Sequence, residues 1–290
     1  MTDFGKRLVE AVATYGSLCV GIDPHPALLA RWGLTDDADG LAGFADTCVA
    51  GLAGAVAVVK PQSAFFERHG AAGVAVLERL LDDLAETPTL SLLDAKRGDI
   101  GSTMDGYADA YLRVGAPLGA DAVTLSPYLG FEALEPAFVA AGEAGRGVFV
   151  LARTSNPEGA PVQLATVPGG GTLAQSVVDA AAARNAGAGA CGAETDPGGP
   201  QPCGDVGVVV GGTRDHGLDL SGLYGPVLVP GLGAQGASPA DVVSRFAGTA
   251  GPVLPVAARS VLRAGPDAGA LRDAARALGE ELTSASAGSH

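Results

Sequence analysis

The sequence predicts a single α/β domain in which eight parallel strands and their helices form a (β/α)8 barrel, the TIM barrel architecture. Eight short, Val-rich apolar segments recur along the chain, and segments with helical periodicity separate them. The strand segments are apolar throughout instead of alternating, as expected for strands covered on both faces. A doubly wound open sheet is the alternative, but no G-x-G-x-x-G follows the first strand, which disfavours a dinucleotide-binding fold.

The elements follow from these two patterns. The apolar segments predict strands at residues 18–23, 55–60, 90–96, 121–126, 147–153, 206–211, 226–231 and 253–259. Apolar residues recurring every three or four positions predict helices at residues 41–54, 73–86, 104–115, 131–142, 172–187, 239–248 and 267–282. The barrel is predicted to occupy residues 1–283, and residues 284–290 are predicted to be a flexible tail.

Two connections are unusually long. Residues 154–171 follow the fifth strand, so they lie on the face of the barrel that carries the chemistry, as a candidate wall or lid of the site. Residues 185–205 lie between a helix and the sixth strand, on the opposite face. Their Gly- and Pro-rich composition predicts a mobile excursion.

The charge of the chain limits its partners. The formal net charge is −14, with 18 Lys and Arg against 32 Asp and Glu. Such a surface repels nucleic acids and anionic membranes, so an anionic ligand must be met by local cations. The most apolar run, residues 47–59, is too short to cross a bilayer, and the charged, amphipathic N-terminal sequence does not fit a signal peptide. We expect a soluble cytoplasmic protein that binds a small molecule.

The cysteines indicate neither a metal site nor a disulfide framework. The four cysteines, at positions 19, 48, 191 and 203, form no C-x-x-C motif, and no histidine has the spacing of a metal ligand. This usage fits a reduced compartment and a protein without a bound metal. Cys191 and Cys203 fall in the same long connection and could pair under oxidation, which the sequence leaves open.

Charged residues end or follow the predicted strands at one end of the barrel. The sequence LLDAKRGDIGST at 92–103 places Asp94 and Lys96 two positions apart, on one face of the third strand. A lone pair of this kind is ordinarily a surface ion pair that contributes little. Four other strands also end in or precede a charge, at Asp23, Lys60, Arg153 and Arg259. Because barrel enzymes carry their catalytic groups at the carboxyl ends of the strands, this pattern predicts an active site there.

Lys60, Asp94, Lys96 and Asp99 are predicted to form a row of alternating charges. The second and third strands are neighbours in the barrel, so Lys60 can meet Asp94 across them. Flanking carboxylates would keep Lys96 protonated although it is partly buried. Such a lysine can donate a proton to a carbanion, and the carboxylate can disfavour a substrate carboxylate until CO₂ has left. The row therefore predicts a site that makes and quenches a carbanion without a cofactor.

A second cluster predicts phosphate binding at the ends of the seventh and eighth strands, where barrels of this kind often hold a phosphate. Gly231, Gly233 and Gly236 leave backbone N–H groups open, and Gln235 adds a side-chain amide. Arg259 supplies a cation with bidentate geometry. An ordinary Gly-rich turn beside a surface arginine is the alternative interpretation.

The motif DAKRGDIGST at 94–103 is similar to the D-x-K-x-x-D-[IV]-x-x-T signature of orotidine 5'-phosphate decarboxylases. Identity and spacing match at all four polar positions. The resemblance extends to other strand ends, with GIDP at 21–24, VVKPQSAFFE at 58–67, RTSNPEG at 153–159, PGLGAQG at 230–236 and ARS at 258–260. RTSNPEG and the excursion at 185–205 resemble the longer, type 2 branch of the family.

The resemblance implies the reaction of this family, in which orotidine 5'-phosphate becomes uridine 5'-phosphate and CO₂ in pyrimidine biosynthesis. Lys96 would protonate C6 of the pyrimidine, and Asp94 would face the leaving carboxylate. Lys60 would bridge Asp94 and the ribose, and Asp23 would hold a ribose hydroxyl. Ser155 would contact the pyrimidine ring, with Thr154 as an alternative.

The resemblance also implies a phosphate grip, a partner subunit and the absence of a cofactor. Gln235 and Arg259 would hold the phosphate. Asp99, Ile100 and Thr103 would reach into the active site of the other subunit, so that a homodimer shares its sites. The family uses no metal and no organic cofactor.

Two other functions remain as alternatives. A related barrel enzyme decarboxylates a keto-sugar phosphate with Mg²⁺, but the acids here each lie beside a lysine. A barrel that only binds a nucleotide is the other alternative, against which the lysine–aspartate row argues. Outside the motifs, His25 is interpreted as incidental to the site, and Trp32 and Tyr128 as packing residues.

Overall fold

The protein folds as a closed barrel of eight parallel strands in sequence order, as predicted. The structure is a computed structural model that describes residues 3–191, 203–233 and 236–287, with the backbone alone at 187–191. The strands are β1 (Cys19–Ile22), β2 (Val58–Pro61), β3 (Leu90–Arg97), β4 (Ala122–Leu125), β5 (Gly147–Arg153), β6 (Val206–Val210), β7 (Val227–Pro230) and β8 (Val253–Ala257). Parallel pairing of β1 with β8 closes the barrel.

Helices surround the strands and also follow several strand ends. The helices within the described ranges are α1 (Phe4–Tyr15), α2 (Pro26–Arg31), α3 (Ala38–Leu52), α4 (Ser63–Glu67), α5 (Gly70–Ala85), α6 (Gly101–Tyr111), α7 (Glu135–Ala144), α8 (Ala160–Gln163), α9 (Leu173–Cys191), α10 (Pro239–Arg245), α11 (Arg259–Leu262) and α12 (Ala268–Ala287). Each helical segment predicted from periodicity corresponds to one of these. The short helices α2, α4, α8 and α11 follow strand ends and are too brief to leave a periodic pattern. None of the helices described here combines the length and the apolar character that a bilayer crossing needs.

The strands carry two apolar layers because both of their faces are covered. Side chains that point outward pack against the ring of helices and form the larger core, which includes Val20, Val59 and Leu93. Side chains that point inward fill the barrel, among them Leu92 and Phe149. This double burial explains why the strands are apolar at nearly every position.

Helix α1 closes the amino-terminal end of the barrel. Phe4 and Leu8 are buried among the inward-pointing side chains, and the Phe4 ring meets Phe149 edge to face with centroids 6.1 Å apart. The backbone N–H of Gly5 donates to Asp205 Oδ1 at 2.7 Å, which ties the helix to the start of β6. The charged, amphipathic N-terminal sequence is therefore part of the core, and the opposite end of the barrel is left for the site.

Replacing Gly147 with alanine is expected to destabilise the fold. A Cβ at Gly147 would lie 2.3 Å from Cδ1 of Phe4, so helix α1 would have to shift. Overpacking of this kind costs about 1–3 kcal/mol. Thermal unfolding should show a lower Tm for Gly147→Ala, whereas Gly142→Ala, where a Cβ meets no atom within 4 Å, should be neutral or stabilising. Equal Tm values for the two variants would contradict this account of how helix α1 packs into the barrel.

Two predicted boundaries differ from the structure. Helix α9 continues to Cys191, so residues 185–191 of the expected excursion are helical, and residues 192–202 lie outside the described part of the chain. Helix α12 continues to Ala287, past the predicted start of the tail at 284, and residues 288–290 are not described. The buried side-chain amide of Asn185 ties α9 to the barrel, because it donates to the carbonyls of Val206 and Leu223 at 2.7 and 3.1 Å.

Candidate active site

A cavity of about 320 Å³ opens at the carboxyl ends of the strands. Charged residues that end or follow different strands meet in it. Its lining includes Asp23, Lys60, Asp94, Lys96, Ser155 and Arg259. A larger cavity of about 700 Å³ lies at the other end of the barrel, between α1 and α12, where Arg276 and Glu280 are its charged residues. The concentration of buried opposite charges distinguishes the smaller cavity as the candidate active site.

Four charged groups form a continuous alternating row across β1, β2 and β3. Lys60 Nζ lies 3.9 Å from Asp23 Oδ1 and 3.2 Å from Asp94 Oδ2. On the other side, Lys96 Nζ lies 2.6 Å from Asp94 Oδ1. The row begins at Asp23 because the β1–β2 register places Gly21 opposite Lys60, so the residue just after β1 is beside the lysine. Lys96 ends the row with a side chain that is 46% exposed.

The carboxylate of Asp94 accepts four hydrogen bonds. Its Oδ2 receives Lys60 Nζ and, at 2.8 Å, Gln62 Nε2. Its Oδ1 receives Lys96 Nζ and, at 2.8 Å, the hydroxyl of Thr124. A carboxylate has about four lone-pair sites, so Asp94 is saturated with donors and fixed in orientation.

These contacts set the ionisation of the row. Burial opposes the charge of Asp94, but Lys60 and Lys96, with hydrogen bonds from Lys96 and Thr124, hold the pKa of Asp94 well below its usual range. Burial alone would lower the pKa of Lys60. The negative charges of Asp23 and Asp94 outweigh this effect of burial and raise the pKa of Lys60 above its ordinary value. Cys19 lies inside the barrel, and its burial raises the pKa of the thiol to about 12, so it stays a neutral packing group.

Asp23 keeps one oxygen free of hydrogen bonds. Its Oδ1 is buried and accepts no hydrogen bond from the described residues, although Lys60 Nζ is 3.9 Å away. A buried acceptor without a donor is costly, so such groups in a cavity are often completed by a ligand. The Asp23 side chain is 30% exposed and lines the cavity, so its carboxylate is suited to accept a hydrogen bond from a hydroxyl or N–H group of a bound molecule.

The connection after β5 is a structured wall of the cavity. Gln163 in α8 accepts from Arg153 Nη1 at 2.8 Å and from the backbone N–H of Thr154 at 3.0 Å. Its amide also donates to Thr154 Oγ1 at 2.7 Å. These bonds hold Thr154 and Ser155 against the cavity, which both line. Arg153, one of the charges predicted at a strand end, is used to anchor this wall.

The predicted phosphate cluster is only partly as expected. Arg259 lines the cavity and is exposed, and its guanidinium forms no ion pair or hydrogen bond with the described residues. The N–H groups of Gly233 and Gly236 are not open, because they donate to the carbonyls of Ala237 and Gly233 at 2.8 Å and close the loop after β7. The φ values of Gly231, Gly233 and Gly236 are 122°, 73° and 105°. Glycine adopts such positive φ values readily, so the backbone conformation of the loop accounts for these three glycines. Gln235 lies outside the described residues.

Asp99 does not join the row within its own chain. Its carboxylate accepts from the backbone N–H of Ile100 at 2.8 Å, and it forms no ion pair with Lys96. The side chain of Ile100 is 60% exposed, and Thr103 is exposed on α6. Asp99 lies beyond the end of β3, so the two-residue periodicity that aligns Asp94 with Lys96 no longer applies to it.

Comparison with known proteins agrees with this geometry. The model of the orotidine 5'-phosphate decarboxylase / HUMPS family matches residues 16–274. The chain belongs to this family. It is 58% identical over 276 residues to the orotidine 5'-phosphate decarboxylase of Salinispora arenicola, covering 95% of each chain. It is 49% identical to that of Streptomyces coelicolor, covering 98% of this chain and 99% of the relative.

A solved structure extends the similarity to the whole fold. The crystal structure of a protein assigned as orotidine 5'-phosphate decarboxylase from Streptomyces avermitilis is 48% identical to this chain, with a TM-score of 0.88. The match covers 99% of this chain and 97% of that one. This chain therefore shares its overall fold with that protein.

Two residues that contact Asp94 were not predicted from the sequence. Gln62 follows Lys60 at the end of β2, and Thr124 lies in β4 with no exposed surface. Both donate to Asp94. The available signal was the threonine in the middle of the predicted strand DAVTLS, since a buried hydroxyl needs a partner. Tyr128 was interpreted as a packing residue, which is wrong for the single chain, because it is 80% exposed.

Proposed function

We propose that the protein decarboxylates orotidine 5'-phosphate to uridine 5'-phosphate and CO₂ without a metal or organic cofactor. The observation that carries this proposal is the saturated Asp94 carboxylate beside the Lys96 ammonium, at 2.6 Å, in the cavity. Membership in the orotidine 5'-phosphate decarboxylase / HUMPS family supports the same reaction. The reaction belongs to pyrimidine biosynthesis, and we expect the enzyme to work in the cytoplasm.

The chemical step uses Lys96 as the proton donor. The bond between C6 of the pyrimidine and its carboxylate breaks, CO₂ leaves, and the electron pair remains on C6. Lys96 gives one proton to C6, which completes the product. The resulting neutral amine regains a proton from solvent, which reaches it because the side chain is 46% exposed in the open cavity.

Asp94 acts on the bound substrate by electrostatics. The substrate carboxylate would lie beside the Asp94 anion, and this repulsion is relieved when CO₂ departs. Asp94 cannot escape by taking a proton, because Lys60 and Lys96 keep its pKa low. It cannot easily turn away, because four donors hold it. Lys60 supports this anion and reaches toward Asp23.

The remaining contacts position the nucleotide. The Asp23 carboxylate lines the cavity and would accept a hydrogen bond from a ribose hydroxyl, in line with the role implied for it. Ser155, held by the wall after β5, would contact the pyrimidine, and Thr154 remains the alternative. Arg259 would bind the phosphate together with Gln235. Asp23 and Arg259 follow β1 and β8, which are neighbours in the barrel, so one nucleotide can reach both.

We also propose a homodimer in which Asp99, Ile100 and Thr103 complete the site of the other subunit. Asp99 has no cationic partner among the described residues of its own chain, and Lys96 is open on the side away from Asp94. Exposed apolar side chains, Ile100 and Tyr128, follow β3 and β4. Their burial against a second copy would explain why these two apolar side chains are exposed in the single chain.

The Mg²⁺-dependent alternative conflicts with the state of Asp94. A metal-binding carboxylate must offer an oxygen to the ion, yet both oxygens of Asp94 accept hydrogen bonds, two of them from lysines. The decisive assay follows the ultraviolet absorbance of orotidine 5'-phosphate with and without a chelator. Equal loss of absorbance in both samples supports the proposal. No loss in either sample contradicts it; chelator-sensitive decarboxylation of a keto-sugar phosphate would then support the metal enzyme, and no turnover of either substrate would favour a nucleotide-binding protein.

Arg259→Ala is expected to lower kcat/KM for orotidine 5'-phosphate but to matter much less for the nucleoside orotidine. A hydrogen bond to a charged group contributes about 1.5–3 kcal/mol, which corresponds to a loss of roughly 10–100-fold for the nucleotide. Removing the phosphate from the substrate should reduce kcat/KM even further, because phosphate binding also helps to assemble the charged site.

The matched control is Arg263→Ala, which changes an exposed arginine one turn further along the chain that does not line the cavity. It should behave as wild type on both substrates. Equal losses for nucleotide and nucleoside in Arg259→Ala would show that Arg259 does not serve the phosphate.

A further inference from the structure

The strand that carries Asp94 and Lys96 is irregular at these residues. In the pairing of β3 with β4, Leu93 lies opposite Val123 and Arg97 lies opposite Leu125. Asp94, Ala95 and Lys96 therefore stand opposite a single residue, Thr124. Bulges of this kind bend a strand and redirect its side chains, and they recur beside active sites. The geometry of the catalytic pair thus depends on how this bulge is held.

The backbone of Lys96 is in an unusual conformation. Its φ is 49°, in the left-handed region that non-glycine residues seldom adopt. Such a conformation persists only where neighbouring groups fix it. The backbone N–H of Lys96 donates to Thr124 Oγ1 at 3.0 Å, which supplies one of these fixing contacts.

The same hydroxyl also holds Asp94. Thr124 Oγ1 donates its proton to Asp94 Oδ1 at 2.8 Å while it accepts the Lys96 N–H. A hydroxyl has one proton and two lone pairs, so one group can make both bonds. Thr124 has no exposed surface and does not line the cavity, so its effect on a ligand must pass through Asp94 and Lys96.

We propose that Thr124 is a positioning residue for the decarboxylation. Its single hydroxyl couples the orientation of the Asp94 carboxylate to the strained backbone of Lys96. It thereby fixes the distance between the anion that faces the leaving carboxylate and the ammonium that protonates C6. This inference rests on the proposed function of the site.

Thr124→Val keeps the volume of the side chain and removes both hydrogen bonds. Asp94 retains Lys60, Gln62 and Lys96 as donors but is freer to rotate, and the bulge loses a restraint at Lys96. Misplacement of reacting groups by about 1 Å can cost about 100-fold in rate, so we expect kcat to fall by about 10–100-fold. Binding of uridine 5'-phosphate should change less than threefold, because Thr124 does not line the cavity.

The test compares Thr124→Val and Thr124→Ser with a matched control. Thr89 is buried at the start of β3, where its hydroxyl donates to Val56 at 2.8 Å and accepts from Gly54 at 2.9 Å. Thr89→Val therefore removes a comparable pair of bonds far from the cavity. For each variant we would measure kcat, KM, the pH profile of kcat/KM, Tm and the affinity for uridine 5'-phosphate.

If the hydroxyl positions the two groups, only Thr124→Val should lose kcat. Thr124→Ser should keep a kcat within threefold of wild type. Thr89→Val should show a lower Tm with an unchanged kcat. The acidic limb of the pH profile should stay where it is in wild type, because Lys60 and Lys96 still hold the pKa of Asp94 well below its usual range. If Thr124→Val does not fold, Thr124→Cys, whose thiol is a weak donor, should show the same loss of kcat relative to Thr124→Ser.

Three results would overturn the inference: a wild-type kcat in Thr124→Val, an equal loss in Thr124→Ser, or a parallel loss of product affinity. Wild-type enzyme in the same assay separates this inference from the proposed function. If wild type itself does not consume orotidine 5'-phosphate, the proposed function fails. If wild type turns over and Thr124→Val matches it, only the role of Thr124 is wrong.

Discussion

Lys96→Ala is expected to reduce turnover by more than about 1,000-fold, which lies within the 10²–10⁴-fold range that positioned proton donors contribute. Lys96 is the one lysine of the row whose side chain is open to the cavity, at 46% exposure, whereas Lys60 is buried between two carboxylates. Without Lys96 the C6 carbanion has no ammonium beside it. The loss should appear in kcat and in kcat/KM together, because the contact is made with the reacting atom.

The variant chain should still fold and bind the product. Asp94 keeps Lys60, Gln62 and Thr124 as donors, so its buried charge stays compensated. Lys96 is half exposed, and removal of such a side chain has a small effect on stability. The groups proposed to bind ribose and phosphate, Asp23 and Arg259, are unchanged.

The measurements are the ultraviolet assay for turnover, calorimetric binding of uridine 5'-phosphate, and Tm. Lys6→Ala, an exposed lysine on α1 at the other end of the barrel, is the matched control and should be active. Activity of Lys96→Ala within tenfold of wild type would contradict the role of proton donor. A simultaneous loss of product binding would point to a general distortion of the cavity.

The barrel could be predicted from sequence because double burial leaves a strong local pattern. Strand β5 was predicted with its final bounds, 147–153. The second strand was predicted from residue 55 but starts at Val58, because Ala55, Val56 and Ala57 are buried in the connection before it. Apolar sequence records burial, and it does not distinguish a buried connection from a strand.

The end of α9 shows a different limit. The Gly-rich segment NAGAGAC at 185–191 overlaps the predicted helix end at 187 and was otherwise assigned to a mobile excursion. The alternating alanines favour helix, and the buried amide of Asn185, bound to two carbonyls of the barrel, holds the chain in place. This tertiary contact joins residues more than 20 positions apart, which no local pattern reveals.

The site was predictable where side-chain periodicity applied. Asp94 and Lys96 lie two apart on one strand, and Lys60 lies on the neighbouring strand, so their meeting followed from the barrel alone. Gln62 was missed because its contact depends on the bridge that places it opposite Asp94, and Thr124 because its contacts depend on the bulge in β3. Neither pairing register can be read from the sequence. Asp23 joins the row through the register of β1 with β2. Its place in the row was therefore not predictable from the sequence either.

The second large effect concerns Asp99. We expect Asp99→Ala to be nearly inactive, although Asp99 makes no contact with Lys96 in its own chain. In the proposed dimer the partner's carboxylate extends the charge row beyond Lys96. Asp99→Ala and Lys96→Ala would then be inactive for different reasons, and each chain would carry the residue that the other lacks.

Subunit exchange between the two inactive variants should restore activity. A mixed dimer holds one site with both defects and one site with neither. Random pairing of equal amounts makes about half of the dimers mixed, so about a quarter of wild-type sites should reappear. The experiment mixes the two variants, exchanges subunits in mild denaturant, verifies exchange by mass tagging, and assays turnover.

Two controls make the result specific to Asp99. Lys96→Ala mixed with a chain that carries both Lys96→Ala and Asp99→Ala should stay inactive, because no site then contains Lys96. Asp105→Ala, which removes an exposed carboxylate of α6 that lies 3.8 Å from Arg113, should be active without any mixing. If exchange is verified and the two single variants restore no activity, Asp99 does not act across an interface. The charge row would then end at Lys96, and each subunit would have to perform the reaction with its own residues alone.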